Sequence, residues 1–470
     1  MAFNLYNLTN VFNSIFINVL KEGIKMDNEK IFYKNVITIA LPVTLQSLLQ
    51  SSFSVIDQIM IGRLGDSSIA GVGLAAKFSS MYSVILSAIA AVTGIMVSQY
   101  IGRKDEKEAG RSFFANLFLA AAFSVVFSVA CFCFPEYIMG FYTKDIVTRQ
   151  AAAGYLRINA LSFLPLAASM VCSAMLRCLD AAKYPLYATV VSVILNTCFN
   201  YVLIFGKAGI PELGVNGAAF ATVISQAVSF LFVMFFTAKT IKRNIKLVFI
   251  WRFTGDRRKQ YLKILLPIIA CEFFWSFGEN IYTAIYGNIG TRPCAAMTLT
   301  IPLQTLLIGA LSGFSQAAAV IIGKSLGSRE YGRAYKESVK IMLYALCGSV
   351  LLSVILLWSG KYYVQIYNTS REVKETAFYI LVVFAFISPV KVQNMVLGGG
   401  ILRSGGKTKY IMWIDFMGTW IFGVPLGCLG AFVLNLGIPY VYLLLSLEEC
   451  VRLAVSLVLF KKRYWMQSLE

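Results

Sequence analysis

Histidine is absent from this sequence of 470 residues. Its absence removes histidine proton relays, histidine–metal sites and Ser-His-Asp hydrolysis. Charge is scarce as well. Asp, Glu, Lys and Arg make up 14% of the chain, against about 25% in soluble domains. Acids are the scarcer sign: 23 Asp and Glu face 42 Lys and Arg, a formal net charge of +19. There are 10 cysteines and no Cys-x-x-Cys pair. Almost all lie in apolar runs, where they read as small buried hydrophobes, not as a disulfide framework or zinc ligands. No Asp-Asp-x-x-Asp motif occurs. A membrane-embedded transferase would need such a metal-binding pair or a histidine, so the chain is not read as an enzyme.

What is present is apolar. Hydrophobic residues make up 58% of the chain, and the mean hydropathy is +0.70. A membrane-crossing helix needs about 20 mostly apolar residues. Twelve such runs lie near 37–61, 75–100, 111–134, 151–176, 184–205, 214–238, 262–286, 295–322, 338–358, 375–401, 410–433 and 437–460. The fold class expected is therefore all-α and integral to the membrane. Basic residues accumulate in cytoplasmic loops. With both termini cytoplasmic, 30 Lys and Arg fall on the inner side and 8 on the outer side, which supports an even number of spans. The excess of +19 then marks topology and not nucleic acid. The expected divisions are a cytoplasmic segment 1–35, a lobe 36–238, a basic linker 239–261, a second lobe 262–460 and a tail 461–470. Residues 1–25 read either as an interfacial amphipathic helix around Val11–Leu20 or, the favoured reading, as an upstream extension of a protein starting naturally at Met26, and carry no assigned function.

The two halves repeat. Leu41-Pro42 faces Leu266-Pro267, and Ile101-Gly102-Arg103-Lys104-Asp105 faces Leu326-Gly327-Ser328-Arg329-Glu330, at one offset of 225. Leu176-Arg177 faces Leu402-Arg403 at 226. Six spans separate the matches, so the halves enter the membrane in the same orientation. The repeat is parallel, and alternating access is the usual outcome of such a duplication.

Charges at membrane depth are costly, so each must face a cavity or a partner. In the first lobe these considerations single out Asp57, with Gln46 and Ser47 about three turns earlier. Asn196 and Asn200 share a face in the fifth span, and Thr222 lies in the sixth. Carboxylate, amide and hydroxyl oxygens suit a hard cation or a proton. Asn and Thr also bond helix to helix, which is the plain alternative. In the second lobe Glu272 and Glu279 lie on nearly one face of the seventh span. Lys391 and Asn394 lie in the tenth and Asp415 in the eleventh. Lys391 needs an acidic partner, with Glu272 the first choice and Asp415 the second. Gln46, Glu272, Glu279, Lys391, Asn394 and Asp415 together are the candidates for a substrate or charge site assigned to the second lobe. Glu448 and Arg452 are spaced to pair with each other. Phe273, Phe274, Trp275, Tyr282, Trp413 and Trp420 could receive flat organic cations, or could equally anchor to lipid.

Several stretches together resemble the multidrug and toxic compound extrusion (MATE) family of the MOP flippase superfamily. They are Leu41-Pro42, Val55-Ile56-Asp57-Gln58-Ile59-Met60-Ile61-Gly62, Ser98-Gln99-Tyr100-Ile101-Gly102, Asn196 through Asn200, Pro211-Glu212-Leu213-Gly214 and Gly217-Ala218-Ala219-Phe220-Ala221-Thr222. The resemblance covers residues 35–460. It implies twelve helices in two six-helix lobes forming a V, and export of organic cations and drugs in exchange for protons or sodium ions. It implies a monomeric cell-membrane protein with no cofactor beyond the coupling ion. Asp57, Asn196, Asn200 and Thr222 match the family's cation-coupling positions. The second amide stands where many members carry Asp. In the C-terminal lobe, Trp275 replaces the seventh-helix acid of NorM-like members, and their tenth-helix acid falls near Val392, beside Lys391. A flippase for a lipid-linked saccharide, from the same superfamily, is the second reading. Its cavity often holds several cations, whereas Lys391 is the one clear mid-span cation here.

Overall fold

The computed structural model describes residues 29–64, 66–207, 209–244, 255–367 and 369–469. Twelve long helices follow one another. They are α1 Glu29–Gly62, α2 Asp66–Gly102, α3 Glu106–Cys133, α4 Ile146–Cys178, α5 Lys183–Ile204 and α6 Gly214–Asn244. Then come α7 Gly255–Ile289, α8 Thr291–Gly327, α9 Tyr331–Gln365, α10 Arg371–Leu402, α11 Thr408–Val433 and α12 Ile438–Lys461. A short helix, Pro135–Gly140, lies between α3 and α4. Among the described residues there are no strands, as expected where lipid leaves backbone polar groups no partner but their own helix.

Eleven of these helices are long and apolar enough to cross a membrane. The twelfth, α12, has 24 residues but carries Glu448, Glu449 and Arg452 near its middle. All three are buried. The helices outrun the apolar runs at several ends. α1 begins at Glu29, while α6 and α7 extend into the basic stretch 239–261. Lys and Arg are good helix formers, and a helix already nucleated adds such residues readily. The expectations for residues 1–25 lie outside the described residues.

The sequence repeat is also a repeat of backbone. Lys104 and Arg329, 225 residues apart, both take the left-handed conformation just past α2 and α8, at φ 61° and 62°. Asp180 (φ 57°) and Gly406 (φ 75°) do so 226 residues apart, after α4 and α10.

The chain divides into two units. One comprises Leu41–Val97 and Asp105–Phe253 and is called the N-terminal unit here. Its interior is centred on Tyr82. The ring stacks on Phe127 at 4.9 Å and packs against Phe163 at 4.5 Å. The hydroxyl donates to the Phe163 carbonyl at 2.7 Å and pairs with Ser124 Oγ at 2.6 Å. The helix α4 tightens into a 3₁₀ turn at Ala160–Ser162, just before Pro165. Ser128 takes up the Ala160 carbonyl there, at 2.8 Å. Hydroxyls thus answer carbonyls that the irregular turn loosens.

The C-terminal unit comprises Thr254–Glu470, with Ser98–Lys104 and the described part of Met1–Ala40. Glu29 forms an ion pair with Lys340 of α9, which ties the start of α1 into this unit. The last two turns of α10, Met395–Leu402, are π-helical and contain Gly398-Gly399-Gly400. Ser315 Oγ of α8 donates to the Met395 carbonyl at 2.8 Å, at the start of that stretch. α11 has two further π-helical stretches, Met417–Gly423 and Leu429–Val433. Such turns widen a helix locally and make room for side chains from its neighbours.

Candidate functional site

In the N-terminal unit, Asp57, Asn196, Asn200 and Thr222 form one hydrogen-bonded chain. Asn200 Nδ2 donates to Asp57 Oδ1 at 2.6 Å and to Asn196 Oδ1 at 2.7 Å. Asn196 Nδ2 donates to Thr222 Oγ1 and to Ser225 Oγ, both at 3.3 Å. The arrangement follows from local structure. The two amides are one turn apart on α5, and α6 starts close to it. A Cβ at Gly217 would come 2.5 Å from the Leu203 carbonyl oxygen. Only glycine permits that approach, and Thr222 and Ser225 follow within the next turns. Asn196 and Asn200 are buried, whereas Asp57 is half-buried.

Asn200 Oδ1 is buried and has no hydrogen-bond partner. A buried unpaired carbonyl is costly. Here it stands in a cluster that also holds a carboxylate and a hydroxyl, the donor set of a hard cation. Tyr155 of α4 is buried near the cluster, close enough to Asp57 and Thr222 to interact with both. Sequence reasoning missed Ser225 and Tyr155. Ser225 had a signal, since it lies three residues from Thr222 on the same helix face. Tyr155 had none.

The C-terminal unit holds a longer charge network, wired differently from the expectation. Glu272 pairs with Arg403, not with Lys391: Arg403 Nη1 lies 3.1 Å from Glu272 Oε1. Arg403 Nη2 also reaches Cys271 Sγ at 3.1 Å. The reason is height in the bundle. Lys391 is on α10 and Arg403 follows its last residue, twelve positions on, about 18 Å along the axis. An acid level with one cannot serve the other. Arg403 follows the apolar run 375–401, yet its side chain is only 14% exposed.

Lys391 instead faces Glu449 of α12, at 3.8 Å. Asn394 Nδ2 donates to both the carbonyl and Oε2 of Glu449, each at 2.8 Å. Asp415 accepts from the Cys271 thiol at 2.7 Å and lies 3.9 Å from Arg452 Nη1. Arg452 also bonds Thr419 and pairs with Glu448 at 3.4 Å. Glu448 in turn accepts from the Tyr282 hydroxyl at 2.5 Å. Glycines of the π-helical turn make the space. A Cβ at Gly418 would overlap Arg452, and one at Gly423 would overlap Tyr282 and Glu448. Glu279 is exposed, and its charge acts on Lys391 and Tyr282.

Gln46 does not belong to this network. It is half-buried on α1 and lies in the N-terminal unit with Asp57. Of the six aromatics, Phe273, Phe274, Trp413 and Trp420 fall into one cluster: Phe274 lies 5.9 Å from Phe273 and 6.5 Å from Trp420, and Trp413 joins through Phe416 at 5.8 Å. Phe274 packs edge-on to Phe416 at 5.1 Å, and Trp420 stacks on Phe277 at 5.3 Å. Phe273, Trp275 and Trp413 remain about half exposed. Tyr282 is buried in the charge network.

The sequence model of the MatE family matches residues 42–202 and again 267–429. The chain belongs to the MatE family. The two matched stretches start 225 residues apart, the offset of the internal repeat. Among curated relatives, the "Uncharacterized transporter YisQ" of Bacillus subtilis (strain 168) is 25% identical over 95% of this chain and 97% of its own. A "Probable multidrug resistance protein NorM" of Agrobacterium fabrum is 26% identical over 92% and 94%. The fold agrees with solved MATE structures. One, solved in complex with MaL6, superposes at TM-score 0.85 with 16% identity, covering 93% of this chain and 98% of that one. A MOP superfamily transporter from Pyrococcus furiosus superposes at 0.83 with 17% identity, covering 92% and 95%. This chain is thus a multi-pass membrane transporter of MATE type.

Proposed function

We propose that this MATE transporter is an antiporter that exports amphipathic organic cations across the cytoplasmic membrane in exchange for protons or sodium ions. Asp57 is the coupling carboxylate. The observation that carries the reading is the unpartnered, buried Asn200 Oδ1, on the amide that bonds Asp57 and is linked through Asn196 to Thr222. A proton would neutralise Asp57 directly. A sodium ion would take oxygens from Asp57, Asn200 and Thr222. Either ion weakens the hold of Asp57 on the Asn200 amide. That links ion occupancy to the packing of α1 on α5 and, through Asn196, on α6.

Glu272, Glu279, Asp415, Glu448 and Glu449 outnumber Lys391, Arg403 and Arg452 in the C-terminal network. An excess of carboxylates favours a cationic substrate. It disfavours the phosphate-bearing lipid that a saccharide flippase would move. The relatives named as probable multidrug resistance proteins agree with drug export. The excess of Lys and Arg on the inner side supports both termini in the cytoplasm, and the transporter is proposed as a monomer with no cofactor beyond the coupling ion.

The test is efflux of ethidium from proteoliposomes under sodium and proton gradients imposed separately. One gradient should drive efflux by the wild-type protein, and Asp57→Asn should reduce it to background at equal protein content. Rescue of a flippase-deficient strain, without ethidium efflux, would establish the other reading.

A further inference from the structure

The end of α2 does not lie free. Residues Ser98–Lys104 are packed in the C-terminal unit, while the preceding part of the same helix belongs to the other unit. Two contacts related by the internal repeat hold this end. A Cβ at Gly102 would overlap the backbone carbonyl of Lys324, and a Cβ at Gly327 would overlap that of Gln99. Gly102 and Gly327 are repeat equivalents, and so are Gln99 and Lys324. The ends of α2 and α8 therefore cross backbone to backbone, each through its own glycine.

A third element grips the crossing. Past α12, the segment Tyr464–Leu469 folds back over it. Gln99 is fully buried and spends its whole amide on this region. Its Nε2 donates to the Ser404 carbonyl at 2.5 Å and reaches the Gln467 carbonyl at 3.4 Å. Its Oε1 accepts the Leu469 backbone N–H at 2.7 Å. Arg103 Nη1 donates to the Leu469 carbonyl at 2.6 Å. The segment has its own anchor. Trp465 is buried and stacks on Phe460 at 5.5 Å, Phe460 stacks on Tyr335 at 5.0 Å, and the Arg463 guanidinium lies 4.5 Å from the Tyr335 ring. Gly405 admits the Trp465 carbonyl, where any Cβ would overlap it.

We propose that Tyr464–Leu469 is a clasp that holds the end of α2 in the C-terminal unit, and that the transport cycle opens and closes it. The proposal rests on the antiport reading above. The grip is polar and goes to backbone atoms, so it can be broken and remade without rearranging an apolar core. The aromatic anchor keeps the clasp attached through Trp465 while Gln99 lets go. Movement of α2 in the transport cycle must either carry this clasp along or release it, and the glycine crossing leaves no slack for an intermediate fit.

Hydrogen exchange of the purified full chain tests the clasp itself. Gln99→Ala should raise exchange across residues 464–469 about tenfold, the scale of two lost hydrogen bonds. Arg103→Ala, at an exposed position, should raise it about threefold, and keeps the test readable if Gln99→Ala does not fold. Ethidium efflux from proteoliposomes then tests the role, and should fall severalfold in either variant. Unchanged exchange would overturn the clasp. Raised exchange with full efflux would overturn its part in transport. Absence of efflux by the wild-type protein would overturn the antiport reading and the role with it, whereas the exchange result would still decide whether the clasp exists.

Discussion

Asp57 and Arg452 show two ways of keeping a charge inside an apolar bundle. Asp57 is half-buried and, among the described residues, accepts from the Asn200 amide. Asn200→Ala removes that donor and should weaken ion-driven efflux while leaving the fold intact. Arg452 is enclosed by Glu448, Asp415 and Thr419. Removing it leaves Glu448 and Asp415 without this cation. Arg452→Ala should therefore cost about 3–5 kcal/mol, read as a loss of thermal stability in detergent. The pairing of Glu272 can be tested by double-mutant cycles. Glu272→Gln should couple to Arg403→Met by about 0.5–3 kcal/mol, but be additive with Lys391→Met. Coupling to Lys391 instead would overturn the assignment. Asp57, Asn196, Asn200 and Thr222, which the structure brings into one hydrogen-bonded chain, stand out in the sequence because polar residues are costly in apolar runs. Sequence reasoning paired Glu272 with the wrong cation because a run of residues shows spacing along one helix and not relative height between helices. Arg403 was hidden by the same limit: it follows the apolar stretch Met395–Leu402 and reads as a loop residue, yet points inward.

Among elements, α11 and α10 were the least legible. Their length was plain from the apolar runs. Their π-helical turns were not, because glycine in a membrane helix has many uses. The structure assigns Gly423 one of them, leaving room for the Tyr282–Glu448 hydrogen bond. Gly423→Ala should cost about 1–3 kcal/mol by overpacking, again read by thermal unfolding. Gly217→Val should separate α6 from α5 and pull Thr222 from Asn196, so that ion coupling falls along with stability. A variant with normal stability and normal coupling would show that the close approach at Leu203 is not needed. The helix α12 illustrates the opposite case. Its three charges disqualify it as an apolar span, although its length and its place in the chain match the repeat. Paired and buried, those charges are the reason the network in the C-terminal unit exists.

For the whole molecule, duplication was the most legible feature. It was readable from glycines, a proline and basic residues at one offset, and the same offset recurs in backbone conformation at Lys104 and Arg329. The repeat also marks where the halves have diverged. The first half keeps a small site of one carboxylate and two amides. The second replaces it with a network of five acids and three bases. The unequal distribution of Lys and Arg predicts both ends inside, so that alkaline phosphatase fused to the C-terminus should be inactive in cells. The proposed driving of export by ion exchange at Asp57 is tested by ethidium efflux from proteoliposomes under separately imposed sodium and proton gradients. Efflux is expected with one of the two gradients in the wild-type protein and with neither in Asp57→Asn. Equal efflux by the two proteins would overturn the role of Asp57.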